Sequence, residues 1–271
     1  MIINRNNIME IVKKSNANPD KDYGQNFLVV PETSETIVDS LEINDEDLVL
    51  EIGPGLGSLT HFLAQKNAKT TIVDIDIRMT AFLNVIYQDC QNVEIINDDI
   101  RRVDISKYTK IIGNLPYNIT TELIVYILKN AKNAKKIILM CQTETFNHFF
   151  DISGKEYGPT SVLVHLLGTI SKIKNVPAGA FYPAPKCGSL VFGIDIFENA
   201  DYEKAFEIYK LSKQLFLNRR KTIYNNLTNY LKDRDLADSV CKQCSISPLS
   251  RPEDISPLKY VEIYDFIKDS H

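Results

Sequence analysis

The chain has 271 residues, 44% of them apolar and 24% charged, with a formal net charge of −4, which is room for one α/β domain and a small appendage of ordinary globular composition. No apolar run approaches the roughly 18 residues that a membrane-spanning helix needs, and the start, Met1-Ile2-Ile3-Asn4-Arg5-Asn6, has no signal-peptide core, so a cytoplasmic protein is expected. The five cysteines include one close pair, Cys241-Lys242-Gln243-Cys244, but no second pair or His cluster completes a zinc ligand set, and no metal is expected.

Residues 1–20 are polar and Asn-rich and read as a partly ordered extension. Residues 32–41 read as a helix packing on the first strand, residues 48–52. That strand runs into Gly53-Pro54-Gly55-Leu56-Gly57-Ser58, with a helix continuing through His61. Strand, glycine turn and helix form a nucleotide cradle, in which glycine lets backbone approach a ligand closely. The spacing is not that of a dinucleotide fingerprint. The third glycine falls one residue early and Ser58 stands in its place, which disfavours a dinucleotide oxidoreductase and suits a ligand with no pyrophosphate, such as S-adenosylmethionine.

A second strand, 70–74, ends in Asp74, about 20 residues beyond the first glycine, where a carboxylate can accept from ribose hydroxyls. Asp76 could share that ribose. A third strand, 93–97, leads to Asp98-Asp99, able to take an adenine amino group. Acids at strand ends also cap helices, but three successive tips with glycine-rich, acidic and acidic chemistry favour cofactor binding.

The fourth strand, 110–113, opens into Asn114-Leu115-Pro116-Tyr117-Asn118 and then an amphipathic helix. Asn carries an acceptor and two donors. Pro removes its own N–H and holds the preceding residue extended. Tyr offers a flat face. The group can hold a planar, amino-bearing ring for chemistry on its nitrogen, or it can be a strand-to-helix turn in which Asn caps, Pro starts and Tyr packs. After a strand at 135–141, segments 172–176 and 189–197 suggest a closing antiparallel hairpin. From residue 200 the pattern is helical, at 202–217, 221–231, 236–241 and 258–267, punctuated by Pro248, Pro252 and Pro257. The expected division is an extension (1–20), a catalytic α/β domain (21–199) and a small helical domain (200–271), with a mainly parallel sheet covered on both faces and its site at the strands' C-terminal ends.

Charge distribution matters more than the negative sum. Residues 208–232 hold six basic residues and no acid, and residues 157–194 hold three lysines and no acid, so one half of the chain could face phosphates.

Several motifs together resemble the rRNA adenine N6-dimethyltransferases. They are Tyr23-Gly24-Gln25-Asn26-Phe27-Leu28, Glu51-Ile52-Gly53-Pro54-Gly55-Leu56-Gly57, Gly113-Asn114-Leu115-Pro116-Tyr117-Asn118, Phe181-x-Pro183-x-Pro185-Lys186, Asn218-Arg219-Arg220-Lys221-Thr222 and Asn225-Asn226-Leu227. Pro54, Leu56, Leu115 and the Arg-Arg-Lys-Thr block resemble the bacterial small-subunit (16S) enzymes rather than the large-subunit (23S) enzymes of macrolide resistance. Val30, Thr143 and Gly188 depart from the pattern.

The resemblance implies a Rossmann-like S-adenosylmethionine-dependent methyltransferase fold with a helical C-terminal domain. It implies N6-dimethylation of adenosines near the 3′ end of small-subunit rRNA, in ribosome biogenesis, by a monomer acting on the pre-ribosomal small subunit. Asn26, Leu28, Gly53, Asp74, Asp99 and Asn114 match the family's cofactor contacts. The Asn114 side chain and the Leu115 carbonyl would accept hydrogen bonds from the two N6 protons beside Pro116, Tyr117 and Phe181 would stack on the flipped adenine, and Arg219, Arg220 and Lys221 would contact phosphates. His61, His148, His165 and His271 have no role. A large-subunit enzyme and a non-catalytic rRNA-binding assembly factor remain as alternatives.

Overall fold

The strands at Leu48–Ile52 and Lys136–Gln142 are mainly apolar runs buried almost throughout, which is the mark of the interior of a parallel sheet, whereas the strand at Val93–Asn97 has no buried residue. The computed structural model describes every residue except 17, 20–23, 117, 118 and 271. In chain order the first unit contains α1 (Ile8–Ser15), β1 (Phe27–Leu28), α2 (Pro31–Asp39), β2 (Leu48–Ile52), α3 (Thr60–Leu63), β3 (Lys69–Asp74), α4 (Ile77–Tyr87), β4 (Val93–Asn97), β5 (Lys110–Asn114), α5 (Thr120–Asn130) and β6 (Lys136–Gln142). After α6 (Thr143–Phe150) and α7 (Pro159–Leu167) come β7 (Gly168–Val176), β8 (Phe181–Tyr182) and β9 (Ser189–Ile196).

The main sheet has the order β4-β3-β2-β5-β6-β9-β7. Strands β4, β3, β2, β5 and β6 run parallel, and β9 lies antiparallel to β6 with β7 outside it. The order reverses at β2, and the crevice beyond the carboxyl ends of β2 and β5 is where open α/β sheets bind ligands. Register makes that crevice. Ile52 pairs with both Val73 and Gly113, and Asp74 pairs with Asn97, so four strands end nearly level. β1 and β8 form a separate antiparallel pair, Leu28 opposite Phe181.

The sheet's core includes Ile37, Val38, Val49, Leu63, Ile112, Ile138, Met140 and Val191. The N-terminal extension is more ordered than its polar composition suggests. Ile3, Ile8, Ile11 and Val12 are buried with Phe27, Leu56 and Met79, because α1 is amphipathic and docks its apolar face.

The second compact unit comprises Glu144–Ile170 and Phe197–His271. It contains α8 (Tyr202–Phe216), α9 (Ile223–Leu231), α10 (Arg234–Gln243) and α11 (Pro257–Asp269). Ala205, Ile208, Leu211 and Leu215 recur on one face of α8, and Asp201, Thr222 and Asp233 cap α8, α9 and α10 through their side chains. This unit differs from the expected 200–271 by starting at Phe197 and by the added segment Glu144–Ile170. Val162 on α7 is buried with Ile208, Leu227 and Tyr260, which ties α7 to the later helices. No helical period marks α7 in the sequence, because Val162, Leu163 and Val164 are all buried. Cys241 and Cys244 lie in the same apolar cluster as free thiols. Among the described residues no helix is long and apolar enough to cross a membrane, and no group of His, Cys, Asp and Glu could hold a metal ion.

Candidate active site

The level strand tips open into a cleft within the first unit, with about 1260 Å³ of empty space including its mouth. Asn26 and Leu28 from β1 and its approach, Gly53 after β2, Asp74 on β3, Asp99 after β4, and Asn114, Leu115 and Pro116 on and after β5 all line it. The structure therefore brings every expected cofactor residue to one place, from segments as far apart as residues 26 and 114.

Glycine is required at the turn. Gly57 has φ +92, and a Cβ there would stand 2.7 Å from Leu83 Cδ2. Gly113 is required for a different reason: a Cβ would meet the Ile52 carbonyl oxygen at 2.7 Å, so β5 could not lie so close to β2. The loop is held by Gly53 N–H donating to Val73 O (3.0 Å) and Gly57 N–H to Pro54 O (2.9 Å). Ser58, in the place of the fingerprint's third glycine, donates through Oγ to Leu28 O at 2.7 Å and ties the loop to β1. The helix that follows, α3, is a single turn.

Three of the four acids that line the cleft have three different environments. Asp74 is 8% exposed; its carboxylate accepts from Asp76 N–H (2.9 Å) and, weakly, from Gly55 N–H (3.3 Å). Burial outweighs those bonds and pushes its pKa up to about 6. Asp99 caps the turn after β4, accepting from Arg101 N–H and from the Arg101 guanidinium Nε at 2.9 Å. That pairing holds its carboxyl below the usual range. Glu51 is 1% exposed, and burial pushes it up to about 8.

Asn114 closes the site. Its Nδ2 donates to Asn26 O at 3.2 Å, and its buried Oδ1 has no partner among the described residues. Leu115 N–H donates to Met140 O (3.1 Å), and Pro116 O accepts from Thr120 Oγ1 (2.9 Å), so the turn is fixed on both sides of the proline. Tyr117 lies outside the described residues. Two buried oxygens of cleft-lining residues, Asn114 Oδ1 and Glu51 Oε1, have no partner among the described residues, and such acceptors fit a ligand that brings its own N–H or O–H groups.

Three sequence expectations change. Phe181 does not line the cleft. It is 4% exposed in the core with Leu28, Met140 and Val191, because β8 pairs with β1 and turns the ring inward. Asp76 does not share the ribose position with Asp74. It caps α4, accepting from Arg78 N–H and Nε and, on its other oxygen, from Arg78 Nη2 and Gln25 Nε2. Arg219 is engaged within its own unit. It pairs with Glu253, donates to Gly154 O at 2.7 Å and lies over Phe216, while Arg220 and Lys221 are exposed.

Glu51, which opens the glycine run read from the sequence as suiting S-adenosylmethionine, also lines the cleft, whereas sequence reasoning gave no role to Gln25, Ile75, Arg101 and Leu123. Of these, Ile75 carried a usable signal, an apolar residue set between two acids directly after an apolar strand.

A family model described as ribosomal RNA adenine dimethylase matches residues 3–269. The chain is similar to the Ribosomal RNA small subunit methyltransferase A of Malacoplasma penetrans, 34% identical over 268 residues that cover 96% of this chain and 97% of that protein. It is 33% identical to the protein of the same name from Streptococcus pneumoniae, over 92% of this chain and 91% of that one. A solved dimethyladenosine transferase from Plasmodium falciparum shares the fold, with TM-score 0.77 and 23% identity over 90% of this chain and 98% of that one. With its parallel sheet, glycine turn and Asn-Leu-Pro corner assembled as described, the chain belongs to the ribosomal RNA adenine dimethylase family.

Proposed function

We propose that the chain dimethylates adenosine N6 in small-subunit rRNA, near the 3′ end, with S-adenosylmethionine as methyl donor. The observation that carries this reading is the buried, unpartnered Asn114 Oδ1 at the tip of β5 beside the glycine turn. Gly53, Asp74, Asp99, Asn26 and Leu28 would hold the cofactor, Asp74 at the ribose hydroxyls and Asp99 at the adenine amine. The chemistry that S-adenosylmethionine supplies when bound is an electrophilic methyl group on a sulfonium sulfur.

The residues of the chain act on the acceptor. An adenine N6 lone pair is delocalised into the ring, so the amine is a weak nucleophile until it turns toward tetrahedral geometry. Asn114 Oδ1 and the Leu115 carbonyl accept hydrogen bonds from the two N6–H groups and hold that geometry, and Pro116 fixes the corner that carries them. Positioning and fixed dipoles of this kind supply several kcal/mol (roughly 3–4 for one well-placed group) without a strong base. Tyr117 is the proposed stacking ring, and Arg220 and Lys221 the proposed phosphate contacts. In this reading the chain works as a monomer in the cytoplasm on the pre-ribosomal small subunit.

The test is incubation with labelled cofactor and, separately, undermethylated small subunits and large-subunit RNA. Label on N6 of adenosines near the small-subunit rRNA 3′ end is expected. Label confined to large-subunit RNA, or none on either, overturns the proposal.

A further inference from the structure

A second pocket lies at the amino ends of the strands, opposite the cleft. Leu48, Lys69 and Val93, the first residues of β2, β3 and β4, line it with Thr70 and Tyr108, around about 470 Å³ of empty space including the mouth. Two hydroxyls of these lining residues, Thr70 Oγ1 and the Tyr108 phenol, are buried without a partner among the described residues. Native proteins rarely leave buried hydroxyls unmatched, so two in one pocket call for a partner from outside the chain. Lys69 and Lys107 also line the pocket, as exposed side chains. Neither is in an ion pair among the described residues, and Lys107 Nζ lies over the Tyr108 ring, 5.1 Å from its centroid. The nearby acids are already engaged. Glu94, the one acid lining the pocket, accepts from Thr71 Oγ1 at 3.2 Å, and Asp104, whose charge Lys107 stabilises, accepts from Ser106 N–H at 2.9 Å.

The pocket is rich in donors. An ammonium offers several N–H groups and a hydroxyl one O–H. Together they exceed what a carboxylate's pair of oxygens can take, whereas a phosphate brings more anionic oxygens, and lysine binds phosphate as a point charge. We propose that this pocket binds a phosphate group, with the Lys69 and Lys107 ammoniums beside its anionic oxygens and the Thr70 and Tyr108 hydroxyls donating to it. The phosphate belongs either to an RNA backbone or to a free anion, and the recognising chemistry is the same for both. The proposal is independent of the cofactor and methyl-transfer assignment, because it uses none of the same residues.

Titration of the isotope-labelled full chain with inorganic phosphate, at neutral pH and with ionic strength held constant by chloride, tests it through the amide NMR shifts of Thr70, Asn92 and Tyr108. In the wild type these should saturate with a shared midpoint. Lys69→Ala with Lys107→Ala, which changes only exposed side chains, should raise that midpoint by about tenfold or more. Thr70→Val, which keeps the shape and removes the hydroxyl, should raise it by about three- to tenfold, the scale of one hydrogen bond. A short RNA hairpin and adenosine monophosphate then separate the sources. If the hairpin moves the same amides and phosphate displaces it, the pocket holds an RNA phosphate. If only phosphate and the mononucleotide move them, it holds a free anion, and either result upholds the proposal. Shifts that do not saturate, or that are equal in the double lysine variant, overturn it and leave the two hydroxyls to water.

Discussion

The Asn114 amide donates from Nδ2 to the carbonyl oxygen of Asn26 at 3.2 Å, across 88 residues of sequence. That bond occupies the donor side of the amide and leaves Oδ1, buried and unpartnered, as an acceptor at the tip of β5. The loop before β1 thus sets the polarity of the group proposed to hold the reacting amine, and a side chain with free rotation would not.

Replacing Asn114 with Ala removes that acceptor while leaving the glycine turn, Asp74 and Asp99 in place. Cofactor affinity should stay within about tenfold, and methyl transfer should fall by about 100-fold or more, the scale for losing one transition-state hydrogen bond. Tritiated-methyl incorporation under single-turnover conditions is the measurement. Full activity in the variant would remove Asn114 from the chemistry.

Glu51 makes stability depend on pH. Its pKa rises from 4.5 to about 8 on folding, so between those values the folded chain keeps a proton that the unfolded chain has lost. Stability from this group is therefore complete below about pH 4.5 and falls as pH rises toward 8. His61 and the N-terminus, whose lowered values act in the opposite sense, are unchanged in Glu51→Gln. The thermal midpoint of Glu51→Gln relative to wild type should accordingly climb from pH 5 to pH 8, a range set by the same linkage at roughly one proton. A difference that stays flat over that range would mean that Glu51 ionises normally.

Gly57→Ala should destabilise by about 1–3 kcal/mol, the combined scale of a left-handed non-glycine residue and an overpacked core. Gly57 has φ +92, and the added carbon would press on Leu83, itself fully buried with Ile72 and Tyr87. Chemical denaturation checks the loss. Calorimetry should also show weaker cofactor binding, since the turn would shift.

The basic block between α8 and α9 should divide functionally. Arg220→Ala with Lys221→Ala should weaken RNA association and lower the slope of log affinity against log salt by up to about two. Arg219→Ala should instead cost up to about 1 kcal/mol of stability, the scale of a partly exposed pair, because it strips Glu253 and Gly154 O of their partner. Filter binding across a salt series, paired with thermal unfolding, separates the two. Equal salt slopes in the double variant and wild type would clear both side chains from the interface.

Local patterns carried much of the fold. Strand β2, with only its first residue part-exposed, and the central run of β6, buried throughout, could be read from apolar runs of strand length, and α8 from a face that recurs every three or four residues. Where burial is complete the pattern vanishes. Helix α7 went unread because its apolar residues face core on every side, and with it the fact that Glu144–Ile170 belongs to the helical unit.

The strand-tip residues, too, were legible, since a parallel strand that ends in Gly, Asp or Asn has few reasons to do so other than a turn, a cap or a ligand. Sequence alone determined that Gly53, Asp74, Asp99 and Asn114 are strand-tip groups with suitable chemistry. Only the tertiary structure decided that register brings them level, that Phe181 is drawn into the core by pairing with Leu28, that Arg219 is held by Glu253, and that Glu51 Oε1 is left without a donor. The physical reason is the range of the information. Periodicity and turn chemistry act over a few neighbouring residues, whereas burial and hydrogen-bond satisfaction depend on what distant segments place alongside.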